Sequence, residues 1–109
     1  MQLAVIIPNF NSPVIDEVIA AVLAQSDNNA LEIWVVGQDC YGKIPISPSV
    51  HTVLTTEPLY PGAARNLGAE RAEADILIFL DADCIPQPGW LSALLEAWKA
   101  HPDAVSYTH

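Results

Sequence analysis

A chain of 109 residues, 51% hydrophobic and only 16% charged, is long enough for one buried core and too apolar for disorder, so one globular domain is expected. Thirteen Asp and Glu residues face only Lys43, Arg65, Arg71 and Lys99, and the net charge of −9 leaves no basic stripe for a phosphate backbone, which excludes nucleic acid as a partner. Any phosphate-bearing ligand must be met by one of these few arginines or by a bound cation.

Short apolar runs alternate with helical patterns, the signature of βα units and a parallel sheet buried on both faces. The first strand is expected over residues 3–7, stopped by Pro8. Ser12 then caps a helix with Pro13 at its first position, Asp16 and Glu17 in its first turn, and Ile15, Val18, Ile19 and Val22 on one buried face. A second strand covers residues 31–36, a polar loop residues 38–49, and a third strand Val50–Leu54. An alanine-rich helix over residues 62–74 follows, in which Gly68 permits close packing on the sheet. Ile76–Leu80 is the fourth strand, and residues 85–89 form a turn. Leu91, Leu94, Leu95 and Trp98 make the stripe of a third helix that ends before Pro102, and residues 104–107 begin a fifth strand. No repeat or low-complexity tract occurs.

Right-handed crossovers favour the spatial order 3-2-1-4, a Rossmann-like, mostly parallel α/β sheet with flanking helices. That order reverses between strands one and four. Ligands of open parallel sheets sit outside the carboxyl ends of the strands at such a reversal, here Pro8, Asn9, Phe10 and Asn11 on one side and Asp81, Ala82 and Asp83 on the other.

Asp81 and Asp83 can aim at one point, but close like charges need something positive between them. Mg²⁺ or Mn²⁺ answers this, since either takes carboxylate oxygens, keeps waters and accepts phosphate oxygens. The competing reading is that the two aspartates end a strand and cap a turn. Arg65 lies in the first turn of the second helix, where it can bind an anion or pair with Asp39, Asp81 or Asp83, two readings that can coexist in an unliganded site. Phe10 either stacks on a flat base or packs in the core, and Asp39 either accepts hydrogen bonds from a base or ribose or is a solvated loop acid. Cys40 and Cys84 read as small buried fillers, and Trp90 and Trp98 as helix-to-sheet packing, with Trp90 near the rim of the pocket. His51, His101 and His109 show no partner spacing.

The cysteines also lack disulfide or zinc spacing, which fits a reducing compartment. With no basic flank before residues 3–7 and no apolar run of membrane-spanning length, the chain reads as soluble and cytoplasmic, any association with the cytoplasmic membrane face being left to a longer parent protein.

Four stretches in register, V-I-I-P-N-F-N-S from Val5, W-V-V-G-Q-D from Trp34, G-A-A-R-N-L-G from Gly62 and F-L-D-A-D from Phe79, resemble glycosyltransferase family 2, an inverting family with the GT-A fold. The resemblance implies that the whole chain, residues 1–109, is an N-terminal nucleotide-sugar-binding part, a partial GT-A fold without the acceptor-binding half that supplies the catalytic base. It implies a nucleotide-diphosphate-sugar donor, a UDP-sugar first, and an acceptor hydroxyl. Pro8, Phe10 and Asn11 would contact the nucleotide, Arg65 the base or phosphates, Asp81 the ribose, and Asp83 the metal that bridges the diphosphate. Asp39 falls on a strand-two motif that usually reads two aspartates, glycine, serine, and departs from it with Gly37, Gln38 and Cys40. Apolar surface left by the absent half would favour a homodimer. Two alternatives stand beside this reading. One is a non-catalytic nucleotide-sugar-binding domain. The other is a haloacid-dehalogenase-type phosphohydrolase, whose aspartate pair should sit on the first strand and be followed by threonine or valine where Ile85 stands.

Overall fold

The computed structural model describes residues 2–25, 30–100 and, for the backbone, 107–108. Its elements are β1 (Gln2–Phe10), α1 (Ile15–Leu23), β2 (Ala30–Gln38), β3 (Val50–Leu54), α2 (Pro61–Arg71), β4 (Ile76–Leu80), α3 (Trp90–Ala100) and β5 (Tyr107–Thr108). All pairings are parallel, in the order β3-β2-β1-β4-β5. The expected 3-2-1-4 layout is therefore present, and β5 extends it at the β4 edge. Residues 104–106, expected to open that strand, lie outside the described residues.

Period-two alternation sends one set of side chains to each face. In register, Leu3 lies between Leu31 and Ile76, and Val5 between Ile33 and Ile78. These rungs form a core with Ile15, Val18, Ile19 and Val22 of α1 and Leu91 of α3, against which Leu94, Leu95, Trp90 and Trp98 pack partly buried. The four α1 residues are fully buried, and each contributes up to about 1.5–3 kcal/mol of hydrophobic stabilisation. α2 covers the opposite face, where a Cβ on Gly68 would lie 2.5 Å from Ile6 Cγ2. Among the described residues no helix is long and apolar enough to cross a membrane.

Pro8 does not stop β1, which runs on to Phe10. The Asn11 N–H donates to Gln38 O at 2.9 Å, so by alternation the odd residues of β1 hydrogen-bond toward β2 and the Pro8 nitrogen faces the β4 side. Pairing with β4 has already ended there, at Ile6 opposite Phe79, so the missing N–H of Pro8 costs no ladder bond. β2 likewise runs past the expected residues 31–36, because β1 continues beside it. The cap position of α1 is Val14, without a side-chain cap bond, rather than Ser12; the Ser12 hydroxyl still accepts from Val14 N at 3.3 Å ahead of the helix and at the same time donates to Ala82 O at 2.7 Å. α2 starts at Pro61 and ends three residues before the expected limit, Ala72 being extended (φ −77°, ψ 131°).

Candidate active site

β1, β2 and β4 bring their carboxyl ends together at the reversal. Gly37 has φ 134°, and a Cβ there would fall 2.0 Å from Asn9 O, so only glycine lets β2 approach β1 this closely. Across that approach Asn9 Nδ2 donates to Gln38 O at 2.8 Å, while Asn9 Oδ1 accepts from Ser12 N at 3.1 Å. Asn9 is thus buried beneath the site with both amide atoms engaged by backbone. Asn11 follows in the left-handed conformation (φ 52°) that asparagine tolerates best among non-glycine residues, and its Oδ1 accepts from Cys40 N at 2.7 Å. The loop after β2 is pinned to the end of β1 by that bond.

Pro8, Phe10, Asn11, Asp81, Ala82 and Asp83, six of the sequence-predicted residues, line one open cleft of about 330 Å³ with Ser12 and Pro13. Phe10 is 65% exposed, which removes the core-packing reading and leaves its ring presented at the rim. It also borders a second groove of about 480 Å³ with Pro58, Leu59 and Tyr60. Arg65 stands beside the first cleft, its Nη2 3.7 Å from Asp81 Oδ1, so a pairing with Asp81 is present. Asp39 is half-buried; its Oδ1 is shielded from solvent and accepts no hydrogen bond among the described residues.

Asp81, Asp83 and Cys84 each offer a donor atom, all within 4.8 Å of one another. Two carboxylates at that spacing suit a hard divalent cation such as Mg²⁺ or Mn²⁺, with waters and ligand oxygens completing its shell. The thiol suits it less. Burial first, then the charges of Asp83 and Asp81, push the Cys84 thiol above its ordinary range, which keeps it protonated near neutral pH. Cys84 is half-buried against the core, whereas Cys40 is exposed rather than buried. Trp90 packs on the core as expected, but it borders a groove with Leu80 and Cys84 rather than the carboxylate cleft.

Two residues near the site escape sequence reasoning. The bond from Ser12 to Ala82 spans 70 positions and leaves no local pattern. Tyr60 is 87% exposed beside Phe10, and its only sequence signal is the Tyr-Pro-Gly opening of α2.

The fold is a Rossmann-like parallel α/β sheet with an open cleft at the reversal of its strand order. Residues 4–109 match the family model for glycosyl transferase family 2, and the chain belongs to that family. It superposes on the crystal structure of S. aureus TarS 1-349 with a TM-score of 0.72 at 21% identity, covering 94% of this chain and 33% of that one, a likeness that shows the GT-A fold. Over 32 residues it is 59% identical to polypeptide N-acetylgalactosaminyltransferase 15 of Mus musculus and of Homo sapiens, covering 29% of this chain and 5% of each of those proteins. The chain therefore spans a third or less of the proteins it matches.

Proposed function

We propose that this chain is the nucleotide-sugar-binding part of a glycosyltransferase that moves a sugar from a nucleotide-diphosphate donor, a UDP-sugar first, to an acceptor hydroxyl with inversion. The observation that carries this reading is the single cleft uniting Phe10, Asn11, Asp81 and Asp83 at the sheet reversal, with Arg65 beside Asp81. In it the Phe10 ring stacks on the base, and the shielded Asp39 carboxylate accepts from a base N–H or ribose hydroxyl. Asp81 reaches the ribose and Asp83, with Asp81, holds Mg²⁺ or Mn²⁺. The cation, when bound, neutralises charge on the diphosphate leaving group.

In the reaction the bond from the anomeric carbon to the diphosphate oxygen breaks while the acceptor oxygen attacks from the opposite face, and the acceptor's proton passes to a base. None of the described residues is nominated as that base. The 109-residue chain by itself is expected to bind the donor without efficient turnover.

The test is calorimetric titration with UDP, GDP and TDP, with and without Mn²⁺, on the wild type and on Asp83→Ala. Mn²⁺-dependent binding of one nucleotide, lost in the variant, is the expected result. Nucleotide binding that ignores both Mn²⁺ and Asp83 would remove the metal from the reading, and no binding by the wild type would overturn the donor site.

A further inference from the structure

Among the described residues, the buried polar side chains are Asn9 and Ser12, 5% and 6% exposed. Polar groups in such a core are retained only where their hydrogen bonds are made. Theirs form one line across the strand ends. Asn9 Nδ2 donates to Gln38 O of β2, Asn9 Oδ1 accepts from Ser12 N, and Ser12 Oγ donates to Ala82 O beyond β4. The line joins the three strands that meet at the cleft.

Its last bond ends inside the Asp81-Ala82-Asp83 turn. Because a peptide unit is planar, fixing the Ala82 carbonyl oxygen fixes the plane that also contains the Asp83 nitrogen and α-carbon. The other bond closing this turn is Cys84 N to Asp81 O at 3.2 Å, which is long. The Asp83 side chain itself is exposed and accepts a weak hydrogen bond from Cys84 Sγ at 3.9 Å. The direction in which Asp83 leaves the backbone is therefore set chiefly from the main chain, and the short 2.7 Å bond from Ser12 is the firmest hold on that main chain.

We propose that Ser12 is a positioning residue for the Asp81–Asp83 carboxylates, its hydroxyl preorganising the turn for a divalent cation bound with a nucleoside diphosphate. This rests on the donor-site reading above. It adds a residue that acts on the carboxylates through the Ala82 carbonyl. Loss of such an outer partner weakens metal binding by roughly ten- to a hundredfold in known sites.

The test reads Mn²⁺ binding by electron paramagnetic resonance at saturating UDP, for the wild type, Ser12→Ala and Ser12→Cys, with circular dichroism confirming the fold at the assay temperature. The wild type binds Mn²⁺, and folded Ser12→Ala binds it on the order of tenfold more weakly. A purely structural Ser12 would lower the unfolding temperature and leave the Mn²⁺ affinity of the folded protein unchanged, which would overturn the proposal alone. Wild-type protein that fails to bind Mn²⁺ with UDP would overturn the donor-site reading and this proposal together. If Ser12→Ala does not fold, Ser12→Cys decides, since it fills nearly the same space with a poor donor: weaker Mn²⁺ binding supports the proposal and wild-type affinity overturns it.

Discussion

Gly37 shows how one residue conditions the whole cleft. With φ at 134° and Asn9 O only 2.0 Å from where a Cβ would lie, the position refuses any side chain for two separate reasons, backbone conformation and collision with main chain. Gly62, in the first turn of α2, meets neither objection, since a Cβ there would have nothing within 4 Å. Gly37→Ala is therefore expected to cost at least about 2–3 kcal/mol and to splay β2 from β1, whereas Gly62→Ala gains about 0.4–1 kcal/mol by restricting the unfolded chain. Urea unfolding of the two variants against the wild type checks this. Equal stabilities for Gly37→Ala and the wild type would mean that the strands can separate at that point without penalty.

The same kind of closeness operates between elements, where α2 lies on the sheet through Gly68. A methyl at Gly68 would sit 2.5 Å from Ile6 Cγ2 and 3.2 Å from Val36 Cγ2, both on fully buried side chains of central strands. Branched methyls held in a core cannot swing aside, so α2 must lift, and Arg65, one turn earlier on that helix, must move with it away from Asp81. Gly68→Ala should lose about 1–3 kcal/mol, and the loss should shrink in an Ile6→Ala background, giving a coupling of about 0.5–3 kcal/mol in a double-mutant cycle. Strictly additive effects would show that the helix and strand are not in that contact. Elements of this kind were legible in the sequence to different depths. β3 and β4 both have the expected limits, β4 because it is an unbroken apolar run between Asp75 and Asp81, and Gly68 was readable as a contact point because the alanine-rich helix offers almost no other bulk. β1 and β2 run longer than their apolar patterns because pairing, not hydropathy, decides where a parallel strand stops, and Pro8 is harmless only on the side where no partner remains. Six residues that line the cleft could be brought together from the strand order alone, since the reversal fixes which strand ends meet. The bond from Ser12 to Ala82 could not be anticipated, because the local pattern signals only what the hydroxyl accepts, here from Val14 N, while the partner it donates to, 70 positions on, is set by the fold.

At the scale of the whole molecule the net charge of −9 acts against the proposed ligand. A nucleoside diphosphate is itself anionic, and the cleft it would enter carries Asp81 and Asp83 with Arg65 as the cation beside them. Charge of like sign slows encounter, and the effect reaches over a Debye length, about 30 Å at 0.01 M salt and about 8 Å at 0.15 M. Without a divalent cation, UDP should therefore associate faster as sodium chloride is raised between those concentrations, opposite to the salt response of a basic phosphate-binding site. Saturating Mg²⁺ should flatten the dependence, because the ion bound by the two carboxylates, together with that carried by the nucleotide, removes most of the local repulsion. Stopped-flow measurement with a fluorescent UDP analogue across the salt series, with and without Mg²⁺, checks both. A metal-free rate that falls with salt would show that Arg65 and the amino end of α2 outweigh the acidic surroundings at the mouth of the cleft, and the need for a cation would then lie in holding the diphosphate rather than in letting it approach.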